Sequence, residues 1–350
     1  MTTASLETDR QTTRAVGMAT TAAATTMRAI VQRRYGSEPE EVLHPETVAI
    51  PGFGDHEVLI RVRAAGVDRG TWHLMAGTPH LMRFIGFGVR GPRHSIPGLD
   101  VAGTVEAVGS NVTDLTPGQH VFGTGNGAFA EYATARADRL ATMPATLSFE
   151  AAAAVPTSAT AALQAVRDNG AVQPGQHVLV IGASGGVGSY AVQIAKSLGA
   201  EVTAVCSAAK MDMVSGLGAD HVIDYQAGDF AGGRRYDAII DIGGNRSLRE
   251  LRRALTDRGT LVITGGENGG ALLGGIERNL RAALLTPFIG QRLRAFVARQ
   301  RRRDLLALRE LIESGAVTPP VDRTFGLDDA AAAVRYLIDG RARGKVVITV

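Results

Sequence analysis

The sequence predicts an α/β protein of two domains, a β-rich domain followed by a domain with a doubly wound parallel sheet. Its 350 residues are 45% hydrophobic, which suffices for two hydrophobic cores. Between residues 27 and 150, short alternating segments separated by Gly and Pro indicate strands. From His177 onward, apolar strand-like segments alternate with helical segments of about ten residues, a pattern typical of βαβ units.

The β-rich part follows a tail that is rich in Thr and Ala. Residues 1–26 show no strand or helix periodicity, and we expect them to be disordered. A targeting peptide is the alternative, but Glu7 and Asp9 disfavour it. The clearest strands after the tail are predicted at residues 27–31, 58–62 and 101–105.

An Ala-rich helix near residues 150–166 leads into the second part of the chain. The parallel sheet is predicted to start with a strand at 178–181, and a second strand follows at 201–205. The chain closes with two amphipathic helices and a strand, predicted at residues 303–314, 327–338 and 345–350.

Composition argues against several functional classes. The formal net charge is only +3, which disfavours nucleic acid as a partner. No stretch approaches the roughly 18 uncharged apolar residues of a membrane span, so we expect no membrane partner and a cytoplasmic protein. The single cysteine, Cys206, allows neither an internal disulfide nor a four-cysteine zinc site.

A glycine-rich turn joins the first strand of the parallel sheet to a helix. The sequence GASGGVG occupies residues 182–188, and such a turn lets the backbone approach a pyrophosphate at the N-terminus of a helix. The same residues also match the G-x-S-x-G turn of hydrolases, with Ser184 as nucleophile. That alternative needs an acid and then a histidine downstream, and only His221 follows Ser184. The turn therefore favours dinucleotide binding on a Rossmann domain.

The end of the next strand bears on the choice of cofactor. NAD-binding enzymes place an Asp or Glu at this position, whereas NADP-binding enzymes need space and positive charge. Here the strand ends at Cys206 and is followed by Ser207 and Lys210. Ser207 can donate a hydrogen bond to a 2′-phosphate, and Lys210 can neutralise it. Asp212 is the one nearby acid, and we expect it in the following helix. The sequence therefore predicts NADPH as the cofactor.

Several motifs together resemble those of the medium-chain dehydrogenase/reductase superfamily, in its zinc-independent, quinone-oxidoreductase-like branch. The resemblance covers residues 27–350 and rests on PGLDVAGTV at 97–105, GTGNGAFAEY at 123–132, PTSATA at 156–161, the glycine turn at 182–188, LGADHVIDY at 217–225 and GKVV at 344–347. It implies a GroES-like catalytic domain at 27–150, completed by about 305–350, and a Rossmann NADPH-binding domain at 151–304.

The resemblance also implies which residues contact the cofactor. For the pyrophosphate they are Ser184, Gly185, Gly186 and Val187. The 2′-phosphate would be held by Ser207, Lys210 and Tyr225, and the nicotinamide end would be flanked by Thr160, Ile242 and Gly265. Lys345 would approach the cofactor from the other domain. Only three of the 37 basic residues are lysines, and two of them fall at these positions.

Zinc-dependent members carry a cysteine where this chain has Asp68 and a His-Glu pair where it has Leu99 and Asp100. The sequence therefore predicts no metal. By the resemblance, Asp68, Thr71 and Trp72 lie on a loop over the cleft. We hypothesise that Asp68 and Thr71 orient the substrate and that Trp72 stacks on it; the alternative is that all three serve loop packing and capping.

The substrate is predicted to be small and apolar or quinone-like, because an apolar segment at residues 80–93 resembles a loop over the substrate pocket. The expected reaction is hydride transfer to a quinone, activated alkene or carbonyl compound. An alcohol dehydrogenase or enoyl reductase on the same scaffold, or a non-catalytic NADPH-binding sensor, remain alternatives. The resemblance also implies a homodimer formed through the edge of the Rossmann sheet.

Overall fold

The computed structural model describes residues 25–81, 83–244, 246–265, 276–286 and 289–350. In chain order the strands are β1 (Thr26–Val31), β2 (His44–Ala49), β3 (Glu57–Val67), β4 (Asp100–Val108), β5 (His120–Thr124), β6 (Tyr132–Arg136), β7 (Leu140–Thr142), β8 (His177–Ile181), β9 (Glu201–Cys206), β10 (His221–Asp224), β11 (Tyr236–Asp241), β12 (Leu255–Ile263), β13 (Arg292–Ala295), β14 (Val321–Gly326) and β15 (Lys345–Thr349). The α-helices are α1 (Pro39–Val42), α2 (Arg69–Ala76), α3 (Phe149–Ala153), α4 (Pro156–Leu163), α5 (Gly186–Ser197), α6 (Met211–Gly216), α7 (Leu248–Ala254), α8 (Ile276–Leu285), α9 (Arg302–Glu313) and α10 (Ala330–Ile338).

The β-rich part has a two-stranded antiparallel sheet, β1-β2, and a larger mixed sheet that includes the C-terminal strands β14 and β15. Within the described ranges its order is β14-β15-β3-β4-β5-β7, with β6 also pairing with β3. The long strand β3 pairs antiparallel with β4 and with β15, so that Val347 lies opposite Gly66. The C-terminal strand therefore completes the sheet that the N-terminal half begins.

The second sheet is parallel throughout and has the order β10-β9-β8-β11-β12-β13 in the described part of the chain. Its first strand β8 is an uninterrupted apolar run with Val178, Leu179 and Val180 fully buried, as expected for a strand covered on both faces. The strand order reverses between β8 and β11, and ligands of such sheets bind at the carboxyl ends of the strands beside this reversal. The predicted fold class, a GroES-like β-rich domain plus a Rossmann domain, is confirmed.

The Ala-rich segment between the sheets forms two helices instead of the single helix predicted near 150–166. Pro156 begins α4, and a proline has no N–H to continue the hydrogen bonding of α3. Ser148 caps the N-terminus of α3 by accepting a hydrogen bond from the Ala151 N–H. The segment is therefore divided into two helices at residue 156.

The buried carboxylate of Asp304 anchors α9 to the segment after α4. It accepts hydrogen bonds from Gln164 Nε2 at 2.9 Å and Arg167 Nη2 at 2.8 Å.

The predicted tail falls almost wholly on residues 1–24, which lie outside the described residues. Among the residues that are described, no helix has the length and apolar character needed to cross a membrane.

Candidate active site

The glycine turn joins β8 to α5, and two of its positions accept only glycine. Gly182 has a φ of +86°, which disfavours any side chain. A Cβ atom on Gly188 would lie 2.1 Å from the Gly182 carbonyl oxygen, so the helix passes too close to the turn for another residue. The N-cap residue Gly185 provides no side-chain cap. The first turn of α5 thus offers backbone N–H groups to an anion.

The tips of β9 and β10 bring two of the predicted phosphate-binding residues to one edge of the sheet. Ser207 directly follows β9, and Tyr225 directly follows β10. The Tyr225 N–H donates a hydrogen bond to the Cys206 carbonyl at 3.0 Å. The Tyr225 side chain is about half exposed, so it is accessible to a ligand at this edge.

Lys210 lies between the Rossmann domain and the C-terminal segment. Its Nζ atom donates to the carbonyl oxygens of Gly340 at 2.8 Å and Ala342 at 2.6 Å. Partial burial lowers the pKa of Lys210 below its usual range, with nearby Arg343 acting in the same direction and Asp322 opposing it. Two of the three ammonium protons are therefore directed at the other domain.

The predicted nicotinamide-flanking residues Ile242 and Gly265 lie together at the ends of β11 and β12. A Cβ atom on Gly265 would come within 2.0 Å of the Ile242 carbonyl oxygen, and the Ile242 N–H donates to Ile181 at the end of β8. Thr160 on α4 is fully buried, and its hydroxyl has no hydrogen-bond partner among the described residues. A buried hydroxyl without a partner is costly, so this one fits a ligand that supplies the partner.

Lys345 is almost fully buried at the junction of the two domains. Its Nζ atom lies 3.1 Å from Ser158 Oγ and 3.4 Å from Asp100 Oδ2. A Cβ atom on Gly186 would lie 2.9 Å from Ser158 Oγ and 3.1 Å from Lys345 Cδ. The lysine thus adjoins the N-terminus of α5, where the sequence predicts the pyrophosphate.

Asp100 is a functional candidate that the sequence analysis did not select. Its buried carboxylate accepts hydrogen bonds from the Thr157 N–H at 3.0 Å and from the Thr157 hydroxyl, at the start of α4. Burial raises the pKa of Asp100 to about 7, an effect that the charge of Lys345 opposes and that of Asp68 reinforces. The sequence signal that could have identified Asp100 is an acidic residue at the first position of a largely apolar strand.

The predicted catalytic residues Asp68, Thr71 and Trp72 lie at the start of helix α2 and not on a loop. Asp68 caps this helix, because its Oδ1 atom accepts from the Thr71 N–H at 2.9 Å and from the Thr71 hydroxyl at 3.3 Å. Gly77, with a φ of +63°, ends the helix. The structure therefore brings Asp68 and Thr71 together and fixes both side chains.

The ring of Trp72 packs against the hydrophobic core of the β-rich domain. Its Nε1 atom donates to the Ser37 carbonyl at 3.4 Å, and its ring meets that of His73 edge-on at 4.9 Å. These contacts hold the ring beside the first turn of α2.

A cavity of about 250 Å³ lies in the β-rich domain beside α2. Thr71 and Leu99 line it, and the other lining residues are mainly apolar or backbone: Gln32, Leu74, Phe87, Pro92, Arg93, His94, Ile96, Pro97, Gly98, Asn126 and Gly127. Trp72 and Asp68 are not among the described residues that line it. The predicted substrate loop contributes Phe87, Pro92 and Arg93, so part of the loop does border a cavity.

At the positions where zinc-dependent members of the family have metal ligands, the side chains of this chain either have other hydrogen-bond partners or lack an atom that could bind a metal. Asp68 caps α2, Asp100 pairs with Lys345 and Thr157, and Leu99 has no ligating atom. Within the described ranges, no group of three His, Cys, Asp or Glu side chains is placed to hold a metal ion.

Comparison with known proteins agrees with this architecture. Residues 54–145 match the alcohol dehydrogenase GroES-like domain, and residues 217–348 match the family described as zinc-binding dehydrogenase. The chain is 31% identical to a chloroplastic quinone-oxidoreductase of Triphysaria versicolor, over 92% of this chain and 98% of the relative. It is also 31% identical to 2-methylene-furan-3-one reductase of Solanum lycopersicum, over 92% and 79% of the two chains.

A solved structure with a closely similar fold is the quinone oxidoreductase from Coxiella burnetii. It superposes with a TM-score of 0.78 at 26% identity, covering 93% of this chain and 99% of that one. The full-length matches and the glycine-turn geometry together lead to one conclusion. The chain belongs to the medium-chain dehydrogenase/reductase superfamily, in its quinone-oxidoreductase-like branch, and is an oxidoreductase of that family.

Proposed function

We propose that the chain is an NADPH-dependent, zinc-independent oxidoreductase that reduces a small quinone, activated alkene or carbonyl compound. The observation that carries this proposal is the site at the start of α5. There the N-terminus of α5 has no side-chain cap, and Lys345 and Ser158 pack so closely against Gly186 that a Cβ atom on it would collide with both. An anion is the ligand that such a site favours. The unpartnered Thr160 hydroxyl supports a ligand that extends along the cleft.

The pyrophosphate would be held by the turn residues Ser184, Gly185, Gly186 and Val187, together with Lys345. The nicotinamide end would lie beside Thr160, Ile242 and Gly265. A bound nicotinamide cofactor supplies the hydride for the reaction. The chain's own task is then to fix the positions of both reactants and to exclude water.

The preference for NADPH over NADH rests on Ser207, Lys210 and Tyr225. Their side chains supply two hydroxyl groups and an ammonium group near one edge of the sheet, and no acidic residue directly follows β9. A 2′-phosphate would take its hydrogen bonds from these groups. Lys210 has one ammonium proton beyond the two that its carbonyl partners occupy.

The substrate would occupy the cavity beside α2. Its volume of about 250 Å³ and its mainly apolar lining favour a small, weakly polar molecule. The Thr71 hydroxyl lines the cavity and donates its proton to Asp68 at 3.3 Å. On substrate binding it would turn this proton to the substrate oxygen that gains charge, and the Thr71 N–H would remain as a donor to Asp68. Trp72 follows Thr71 in α2 and is a further candidate for a contact with the substrate. Its observed contacts, with the hydrophobic core and the Ser37 carbonyl, hold the helix in place.

Three classes of acceptor test this function on the purified chain. NADPH oxidation is followed with a small quinone, an α,β-unsaturated ketone and an aldehyde, each with and without a metal chelator. We expect turnover of the quinone or the enone that the chelator does not reduce. Loss of turnover with the chelator, regained on adding zinc, would refute the zinc-independent mechanism.

Reduction of an activated alkene is the second candidate function. The observation in its favour is the likeness to 2-methylene-furan-3-one reductase, which is as high as the likeness to the quinone-oxidoreductase. A higher kcat/KM for the enone than for the quinone would select it. Cofactor binding without turnover of any acceptor would instead favour a non-catalytic sensor.

We also propose that the chain is a cytoplasmic homodimer. Strand β13 lies at the edge of the Rossmann sheet in the described part of the chain, and the edge of a sheet is a template for pairing with another chain. On the neighbouring helix α8, Leu280 and Leu284 are 60% and 63% exposed. Burial of this region in a dimer would remove both from water.

A further inference from the structure

Asp100 and Lys345 form an ion pair at the junction of the two domains. Their relative exposures are 0% and 1%, and the Oδ2 and Nζ atoms are 3.4 Å apart. While Asp100 is ionised, its charge weakens the attraction of the ammonium group for an anion, most strongly at distances larger than the 3.4 Å that separates the pair. While Asp100 is protonated, the ammonium group acts as a full positive charge. The state of this carboxyl therefore decides how strongly Lys345 attracts an anion.

The groups that face Asp100 come from several elements. Lys345 on β15 and Asp68 before α2 are the charged ones, and Tyr190 on α5 is the third titratable group. Burial and the charge of Asp100 raise the pKa of Tyr190, so this phenol stays neutral. Gly66 on β3 and Thr124 on β5 also adjoin Asp100 but do not ionise. Asp68 and Lys345 thus determine the electrostatic surroundings.

Burial brings the pKa of the Asp100 carboxyl toward neutral pH. Burial raises this pKa to about 7, the charge of Lys345 opposes the shift, and that of Asp68 acts in the same direction as burial. Thr157 stabilises the ionised form through two hydrogen bonds but does not offset the burial. A small change in the surrounding charge is then enough to shift the protonation of Asp100 at pH 7 to 8.

An anion at the N-terminus of α5 would make such a change. The Lys345 side chain packs against Gly186, the first residue of α5, since a Cβ atom there would come within 3.1 Å of Lys345 Cδ. Its Nζ atom lies 3.4 Å from Asp100 Oδ2. A pyrophosphate at this helix N-terminus would add negative charge near Lys345. Two negative groups would then compete for one ammonium group, which favours the protonated form of the carboxyl.

We propose that Asp100 is a positioning residue that acts through Lys345, and that binding of the dinucleotide draws a proton onto its carboxyl. This inference rests on the proposed binding of a dinucleotide at α5. It implies that cofactor affinity falls with rising pH above neutrality, by about tenfold per pH unit until the raised pKa of the complex is reached.

The proton uptake is measurable without turnover. NADPH is titrated into the purified chain at pH 8 by calorimetry, in two buffers that differ in ionisation enthalpy. The 2′-phosphate, with a second pKa of about 6, is already ionised at pH 8, so the protons taken up belong to the protein. We expect wild type to take up close to one proton per NADPH bound.

Two variants each remove one of the two charges of the Asp100–Lys345 pair. Asp100→Asn fixes the neutral state, and we expect no proton uptake and about tenfold tighter NADPH binding than wild type at pH 8. Lys345→Met removes the ammonium group, and we expect no proton uptake and weaker binding at every pH. Asp304→Asn is the matched control, because Asp304 is equally buried but lies in the contact of α9 with Gln164 and Arg167. It should keep the proton uptake of wild type.

The outcomes separate this inference from the proposed function. NADPH binding to wild type without proton uptake, or proton uptake that persists in Asp100→Asn, would overturn the inference alone. If Asp100→Asn does not fold, loss of uptake in Lys345→Met supports the inference and its persistence overturns it. If wild type binds neither NADPH nor NADH between pH 6 and 8, the proposed cofactor and this inference both fail.

Discussion

The three lysines of the chain have three different environments. Lys196 forms an ion pair with Asp220 at the surface, and Lys345 is buried against Asp100. Lys210 lies between these cases, since it is half-buried and donates to backbone carbonyls of the C-terminal segment. A compact ammonium group with three donors suits both of the last two sites better than a planar guanidinium group. Because arginine is the usual basic residue of this chain, a lysine at these two sites indicates that an ammonium group is needed there.

Replacement of Lys210 tests the phosphate assignment directly. We expect Lys210→Met to weaken NADPH binding by about tenfold or more, because a charge-assisted hydrogen bond to a phosphate is lost. The affinity for NADH should change little, because NADH has no 2′-phosphate. Lys196→Met, which removes a surface ammonium group, should bind both cofactors as wild type does. An equal loss for NADPH and NADH in Lys210→Met would show that the lysine supports the domain contact alone.

The hydroxyl group of Thr71 is the second residue-scale test. We expect Thr71→Val to lower kcat/KM for the reduced substrate by a factor of about two to ten, the value of one neutral hydrogen bond. The affinity for NADPH should stay the same, and Thr71→Ser should restore turnover because it keeps the hydroxyl. Equal activity in Thr71→Val and wild type would limit Thr71 to its contact with Asp68.

Sequence reasoning at this scale selected Lys345 but not its partners Asp100 and Ser158. Lys345 was predicted because the resemblance places it near the cofactor. Asp100 and Ser158 were not selected, since their contacts with Lys345 join positions 245 and 187 residues apart. Asp100 and Lys345 meet because β4 and β15 lie on either side of β3 in one sheet, and Ser158 joins them from α4. No local periodicity in the sequence indicates such contacts.

The turn between β8 and α5 allows a prediction at the scale of an element. A Cβ atom on Gly188 would lie 2.1 Å from a backbone oxygen, whereas one on Gly186 would meet side-chain atoms of Ser158 and Lys345 at 2.9 and 3.1 Å. The side chains of Ser158 and Lys345 can shift to relieve such a contact, whereas the backbone of the turn cannot. We therefore expect Gly188→Ala to lower the free energy of unfolding by about 1–3 kcal/mol and to weaken cofactor binding as well.

Gly186→Ala should act on side chains instead of the backbone. Its methyl group would displace Ser158 Oγ and Lys345 Cδ, so we expect a smaller loss of stability than in Gly188→Ala and weaker NADPH binding, because Lys345 is moved. Thermal unfolding and a fluorescence titration of both variants measure the two effects separately. Unchanged NADPH affinity in Gly186→Ala would mean that the anion site lies elsewhere.

The elements themselves were predicted to different degrees. The buried strand before the glycine turn and the helix after it follow from their apolar periodicity, and both are present as β8 and α5. The Ala-rich segment was wrongly predicted as one helix, because alanine favours helix on both sides of Pro156 and hides the break. Helix α2 was taken for a loop, although Asp68 and Gly77 are a cap and a terminator at the right spacing.

At the scale of the whole molecule, the exposed edge of the Rossmann sheet predicts the assembly. We expect a molecular mass in solution of about twice the 36.6 kDa of the chain, because β13 and the exposed leucines of α8 would be covered by a second copy. Light scattering coupled to size-exclusion chromatography measures this mass. A mass of one chain across the accessible concentration range would contradict the homodimer.

The relative affinity of the purified chain for NADPH and NADH is the most direct test of the proposed cofactor. In our proposal, Ser207, Lys210 and Tyr225 would bind the 2′-phosphate, and Lys345 would lie beside the pyrophosphate at the N-terminus of α5. A fluorescence titration with each cofactor under the same conditions gives both dissociation constants. We predict that NADPH binds at least about tenfold more tightly. Tighter binding of NADH would contradict the phosphate assignment and with it the proposed cofactor.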